Sequence, residues 1–213
     1  MMVLEKNEPL PWKTARIFPT DRQPPFGEAV MSNPHSLTDV QTLRAQARQH
    51  LADGAVTAGY SADAQAVIGL LNEALATELV CVLRYRRHYF MAKGIQSKGI
   101  AQEFLVHANE EQEHADQIAA RIVQLGGEPD FSPDTLTSRS HAEYVEGRTL
   151  DDMIREDLVA ERIAIDSYRE MVGYLGDRDP TTRNLLEGIL AVEEEHADEL
   201  AELLQGRSAE AGM

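Results

Sequence analysis

The 213-residue sequence contains a single cysteine, Cys81. That scarcity excludes an intrachain disulfide framework and also a rubredoxin-like module, which needs paired Cys-x-x-Cys ligands. Any metal must be held by Asp, Glu and His. Long uncharged apolar runs are missing as well: none approaches the roughly 18 to 20 residues of a membrane span, and the N-terminus has no signal-peptide apolar stretch. These absences predict a cytoplasmic protein with no membrane partner. Positive charge is in deficit, with 20 Lys and Arg against 36 Asp and Glu and a formal charge of −16. The deficit is uneven, because residues 1–60 carry six Lys or Arg and six Asp or Glu, which leaves fourteen against thirty in residues 61–213. An acidic domain with a neutral tail binds polyphosphates poorly, so no nucleic-acid partner is expected, and cations are attracted instead.

Proline is scarce beyond residue 35, since six of the nine prolines lie before it, in stretches such as EPLPW and RQPPF without helical or strand period. Thr38 followed by Gln41 resembles a capping box and predicts a short helix over about 39–52, before the GAVTAGY turn. Residues 1–60 therefore read as an N-terminal extension, partly flexible with one short helix, and residues 61–213 as the folded domain.

That domain is helical throughout. One helix is predicted to start after Ser61 and run to about residue 93, stopped by Gly94, and a second to start after Ser97 and run to about 125, stopped by Gly126 and Gly127. A third starts after Thr149 and runs to about 175, stopped by Gly176, and a fourth starts with Asp179 as cap and Pro180 at its first position, ending near Gly206. Short links make each pair an antiparallel hairpin. Residues 126–148 are long enough to cross the length of the bundle, so the expected class is all-α, with two helical hairpins joined by a long crossover.

Each helix carries an apolar seam interrupted by acid. The first seam is Val67, Leu71, Leu75, Glu78, Val82 and Tyr85, and the third is Ile154, Leu158, Glu161, Ile165, Tyr168 and Val172. The second is Ile100, Phe104, Ala108, Glu111, His114 or Ala115, Ile118, Ile122 and Leu125, and the fourth is Leu186, Ile189, Glu193, His196, Leu200 and Leu203. All four glutamates fall near mid-helix, so at 1.5 Å rise per residue they share one level. Flanking acids such as Glu110, Glu113, Glu194 and Glu195 read as a solvated face. The seam glutamates do not: four carboxylates in one buried layer would repel and lose hydration unless something cationic neutralised them. Two divalent cations balance four carboxylates, and two neutral imidazoles complete a dimetal coordination set. The i, i+3 spacing of Glu111 with His114 and of Glu193 with His196 puts each pair on one helix face. Glu78 precedes Glu111 by 33 residues and Glu161 precedes Glu193 by 32, so the set repeats.

Tyr85 and Tyr168 each follow a seam glutamate by seven residues, and their rings should lie near this layer. They are either core aromatics or groups that hydrogen-bond a ligand or donate an electron. Cys81 reads as a small core hydrophobe. His107 reads as an ordinary satisfied histidine, with a supporting or iron-admitting role as the alternative. The cluster LRYRRHYF gathers Arg84, Arg86 and Arg87, expected as surface or intersubunit charge partners.

The segments LLNEALATELVCVLRYRRHYF, EEQEHADQIAARI, EDLVAERIAIDSY and ILAVEEEHADEL resemble the four ligand-bearing segments of bacterioferritins and their ferritin-like relatives, over about residues 62–206. The resemblance implies a ferritin-like four-helix bundle with two iron ions per chain. Glu78 and Glu161 would be terminal ligands, Glu111 and Glu193 bridging ligands, and His114 and His196 would each cap one iron. Tyr85 matches the motif tyrosine beside the bacterioferritin centre and would serve catalysis. Bacterioferritins bind haem through a Met directly after the first bridging Glu; Gln112 stands there, so no haem is expected. The chain ends some ten residues past the predicted fourth helix, leaving no room for the fifth helix of 24-subunit cages, which favours a homo-oligomer of 12 subunits over 24, as in Dps-like proteins with a bacterioferritin-type centre. The implied activity is ferroxidase: oxidation of Fe(II) by O2 or H2O2, with storage of the product. The alternative on the same scaffold is another carboxylate-bridged dimetal redox enzyme, of manganese catalase or peroxidase type.

Overall fold

The computed structural model describes residues 37–49, 51–94 and 97–211, with side chains to residue 208. The chain divides into a unit of residues 1–40 and a unit of residues 41–213. The expected flexibility of the N-terminal extension concerns mostly residues 1–36, which lie outside the described residues.

The elements are α1 (Val40–Gln46), α2 (Ala64–Met91), α3 (Lys98–Gln124), α4 (Leu136–Arg139), α5 (Leu150–Leu175) and α6 (Pro180–Ala211), with a short 3-10 turn at Leu51–Asp53. No strand occurs among the described residues. The predicted helix over 39–52 is thus a shorter helix plus a separate turn. α2 starts two residues later than expected, because Asp63 rather than Ser61 caps it: Asp63 Oδ1 accepts from the backbone N–H groups of Gln65 and Ala66. Thr149 and Asp152 close a capping box on α5. Asp179 caps α6, its Oδ1 accepting from Thr182 N at 2.9 Å, with Pro180 in the first turn. α3 ends as expected at Gly126, whose φ of +81° only glycine adopts cheaply, and Gly127 follows with its Cα so close to Ile68 that a Cβ would meet that side chain at 2.8 Å. Gly206 does not stop α6. It lies on an exposed stretch with open space around it, where an interior glycine costs only about 1 kcal/mol, and the helix runs on to Ala211.

α2 lies along α3 and α5 along α6, and the two hairpins meet through α2 with α5 and α3 with α6. The crossover is anchored to α2: Thr77 Oγ1 accepts from His141 N, Arg139 donates to the Asn72 carbonyl, and Asn72 binds the backbone at Glu128 and Asp130. Its single turn, α4, was not legible in the sequence.

The predicted seams are the core. Every seam residue of α2 and α3 is buried, as are those of α5 and α6 except the partly buried Leu158, Val172 and Leu203. They form two apolar clusters, one around Leu71, Leu75, Ile118, Ile122 and Leu186, the other around Tyr85, Phe104, Ile154 and Leu200. Each fully buried Leu, Ile or Phe contributes about 1.5–3 kcal/mol. α2 is also long and apolar enough to cross a membrane by length and hydropathy, although Glu73 and Glu78 interrupt every uncharged run. Here 61% of its most apolar window is buried inside the bundle, as expected of a core helix.

Candidate metal centre

Between the two apolar clusters lies a polar layer. Glu78 from α2, Glu111 and His114 from α3, Glu161 from α5, and Glu193 and His196 from α6 converge there, each nearly or fully buried. Their donor atoms fall into two groups, each within 4.8 Å: Glu78, Glu111, His114 and Glu193; and Glu111, Glu161, Glu193 and His196. Glu111 and Glu193 belong to both. The pseudo-repeat in sequence thus becomes a pseudo-two-fold site in space.

The hydrogen bonding within the layer is incomplete. His114 Nδ1 lies 3.3 Å from Glu78 Oε2 and from Glu111 Oε2, and 3.0 Å from Glu193 Oε1 without hydrogen-bond alignment. His196 Nδ1 sits 3.7 Å from Glu111 and 3.6 Å from Glu193, too far to bond. Glu111 Oε1, Glu161 Oε2, both Glu193 oxygens and His196 Nδ1 have no hydrogen-bond partner. Buried polar atoms are almost always satisfied, so five orphans in one layer need a missing partner.

The tyrosines aim the outer carboxylates. Tyr85 donates a short hydrogen bond to Glu161 Oε1, and Tyr168 donates one to Glu78 Oε1. Each ring so occupies one oxygen and leaves the other facing the layer. Tyr85 and Tyr168 are therefore in contact with the layer and not merely core aromatics.

The electrostatics follow from burial and proximity. Burial, with the Glu111 and Glu193 carboxylates close by, pushes Glu78 and Glu161 well above the ordinary carboxylate range. Burial would raise Glu111 too, but its hydrogen bond with His114 and the imidazole of His196 close by win and hold it below that range. Burial opposes the charged form of both imidazoles, yet the surrounding carboxylates raise them, His196 to about 12. In this protonation pattern, protons stand where cations would balance the charge.

Two expectations need correction, those for Arg84 and Glu110. Arg84 is not at the surface: it is fully buried, its Nε donating to Asp157 Oδ1 at 2.7 Å, because it faces α5, where Asp157 matches the charge. His88, which had no expected role, shares Asp157 through Nδ1 at 2.8 Å, while Arg86 and Arg87 are surface groups bonded to Asn109 and Glu146. Glu110 is only half solvated, since Oε2 lies 2.9 Å from His196 Nε2. His107 is fully buried and stacks on His196 with ring centroids 4.0 Å apart. The i, i+4 series Glu103, His107, Glu111 was the signal in the sequence that could have singled it out. Asp116 and Asp198 are exposed, and Cys81 is a buried thiol raised by burial.

The model of the ferritin-like domain matches residues 68–208. The chain belongs to the ferritin-like family. This ferritin-like chain is 32% identical over 182 residues to the nutrient stress-induced DNA-binding protein of Nostoc sp., covering 83% of this chain and 97% of that one. It is 30% identical to the bacterioferritin of Mycobacterium avium over 140 residues, 65% of this chain and 84% of that one. Among solved structures it matches the bacterioferritin-related protein from Bacteroides fragilis, described as a dodecameric thioferritin, at a TM-score of 0.69 and 28% identity over 71% of this chain and 92% of that one. Its relatives named bacterioferritin and DNA protection during starvation protein place it in the ferritin-like iron-storage family, and its fold is the ferritin-like four-helix bundle.

Proposed function

We propose that this ferritin-like chain oxidises Fe(II) at the buried layer and stores the product, with Glu78, Glu111, His114, Glu161, Glu193 and His196 as the ligands of two iron ions. The observation that carries this is the set of orphaned buried atoms, which lie on the shared carboxylates, on Glu161 and on the inward nitrogen of His196. Two divalent cations would satisfy them and neutralise four carboxylates that otherwise need protons. Glu111 and Glu193, common to both groups, are suited to bridge, and Glu78 and Glu161 to bind one ion each. Glu110 holds the outer nitrogen of His196 and leaves Nδ1 for the metal. Iron supplies the electrons that reduce O2 or H2O2, and the chain supplies position, charge and the exclusion of water. Tyr85 acts by fixing the free oxygen of Glu161 towards the layer.

The assembly we favour is a cage of 12 subunits, supported by the description of the Bacteroides fragilis relative as dodecameric. Two relatives, from Nostoc and Synechococcus, are named for DNA binding. The formal charge of −16 argues against that activity here, and a mobility-shift titration with linear duplex DNA checks it.

Aerobic Fe(II) addition to the purified protein, followed by size-exclusion chromatography with iron detection, tests the reading. Iron far in excess of the centre should coelute with a cage-sized particle. Retention of only about two ions per chain on a dimer sinks storage and points to a dimetal redox enzyme of manganese or peroxidase type.

A further inference from the structure

The pseudo-two-fold symmetry of the centre is broken on one side. Beside His196 lie His107 and Glu110, and beyond them Glu103 and Glu199 lie against His107. The positions that correspond in the sequence repeat, counted from Glu193 and His114, hold Leu185, Ile189, Val192 and Gln117. One half of the repeat carries ligand-type side chains at these positions, whereas the other carries three apolar residues and one amide.

On the polar flank the groups form a ladder from solvent to the centre. Glu103 and Glu199 have side chains 39% and 43% exposed, at the edge of a groove of about 600 Å³ also lined by Ile100, Glu202 and Arg207. The Arg207 guanidinium pairs with Asp151, so it does not neutralise the groove. Below them His107 Nε2 lies 2.9 Å from Glu199 Oε2 and 3.9 Å from Glu103 Oε1. His107 in turn stacks on His196, and it forms a further ligand-competent group with Glu110 and His196.

Hydrogen-bond direction sharpens the assignment. The Tyr85 hydroxyl donates to Glu161, so towards His107, 3.3 Å away, it can only accept, and His107 Nδ1 must carry the hydrogen. Nε2 then faces two carboxylates with a lone pair unless a proton or a cation stands between them. An imidazole nitrogen with two carboxylates within 4.8 Å is a donor set for a divalent cation of the first transition row.

We propose that Glu103, His107 and Glu199 form an outer mononuclear site for a divalent cation, which feeds the dinuclear centre from its His196 side. This rests on the centre proposed above. Cations attracted to the acidic groove bind first to the half-exposed carboxylates and His107, then pass Glu110 to reach His196. The position next to His196 therefore fills before the one next to His114.

Equilibrium dialysis of the full chain against Co(II) alone tests both levels. The wild type should hold about three ions per chain, and the double variant Glu103→Gln/Glu199→Gln about two, with its initial rate of Fe(II) oxidation slowed at limiting iron. Both substituted side chains are more than a third exposed, so the variant should fold. Equal stoichiometry in the two proteins overturns the outer site, and about two ions in each leaves the centre standing. One ion or none in the wild type overturns the outer site together with the centre.

Discussion

Replacing the four buried glutamates one at a time by glutamine should give stability changes of opposite character with and without metal. In the metal-free chain Glu78 and Glu161 are pushed towards the neutral acid, and glutamine is close to that form in shape and charge. Glu78→Gln and Glu161→Gln should therefore cost less than about 1 kcal/mol. Glu111 is held as the anion between His114 and His196, so Glu111→Gln leaves buried positive charge without its partner at a cost of about 3 kcal/mol. At about 2–4 °C per kcal/mol for a domain of this size, its melting temperature falls by about 6–12 °C. Mn(II) at about a hundredfold its Kd adds about 2.7 kcal/mol per site, so two sites add about 5 kcal/mol and raise the melting temperature by about 10–20 °C. Glu78 belongs to one ligand group only, and Glu78→Gln should keep about half of that rise. Glu111 belongs to both groups, and Glu111→Gln should lose nearly all of it. Differential scanning calorimetry with and without Mn(II) reads all of these shifts. A full rise in Glu111→Gln, or equal metal-free losses in Glu78→Gln and Glu111→Gln, would refute the shared-bridge arrangement.

Tyr85→Phe should cost about 1–2 kcal/mol in urea unfolding and lower the rate of Fe(II) oxidation with little loss of bound Co(II), because it frees Glu161 Oε1 without removing a ligand. Asp157→Asn strips the buried Arg84 and His88 of their shared anion, and the urea midpoint should fall by the equivalent of about 3–5 kcal/mol. Burial opposes ionisation of Asp179, but Thr182, Tyr60 and Arg121 hold its carboxyl below the usual 3.8. A group depressed in the folded state stabilises above its unfolded value and loses that contribution as pH falls through the folded one. Stability of the wild type relative to Asp179→Asn should therefore be flat above about pH 5 and decline below about pH 4, as melting curves across that range will show.

The four long helices and their seams were legible because the relevant signals are local: caps at Thr149 and Asp179, a stop at Gly126, and apolar spacing that repeats each turn. The six polar positions stood out because carboxylates interrupt those seams at one level. What escaped the sequence depends on pairing across helices. Arg84 looks like its exposed neighbours Arg86 and Arg87 until Asp157, 73 residues away, is placed against it. His107 and Glu199 are separated by 92 residues, and their meeting depends on the register between α3 and α6, which no periodicity states. Gly206 failed as a stop signal because an exposed glycine weakens a helix without ending it.

The two ligand groups divide unevenly between the hairpins: one takes three residues from α2 and α3 and one from α6, and the other takes three from α5 and α6 and one from α3. Each hairpin thus builds most of one pocket and lends a single carboxylate to the other, so neither can complete a pocket before the two have docked. Under the proposed function, loading would be a late event in folding, and bound cations would act as a clasp across the seam between two cooperative units. Cation release from the pockets would then be limited by transient parting of the hairpins, and slow exchange of the ions would report on the mechanics of the whole bundle.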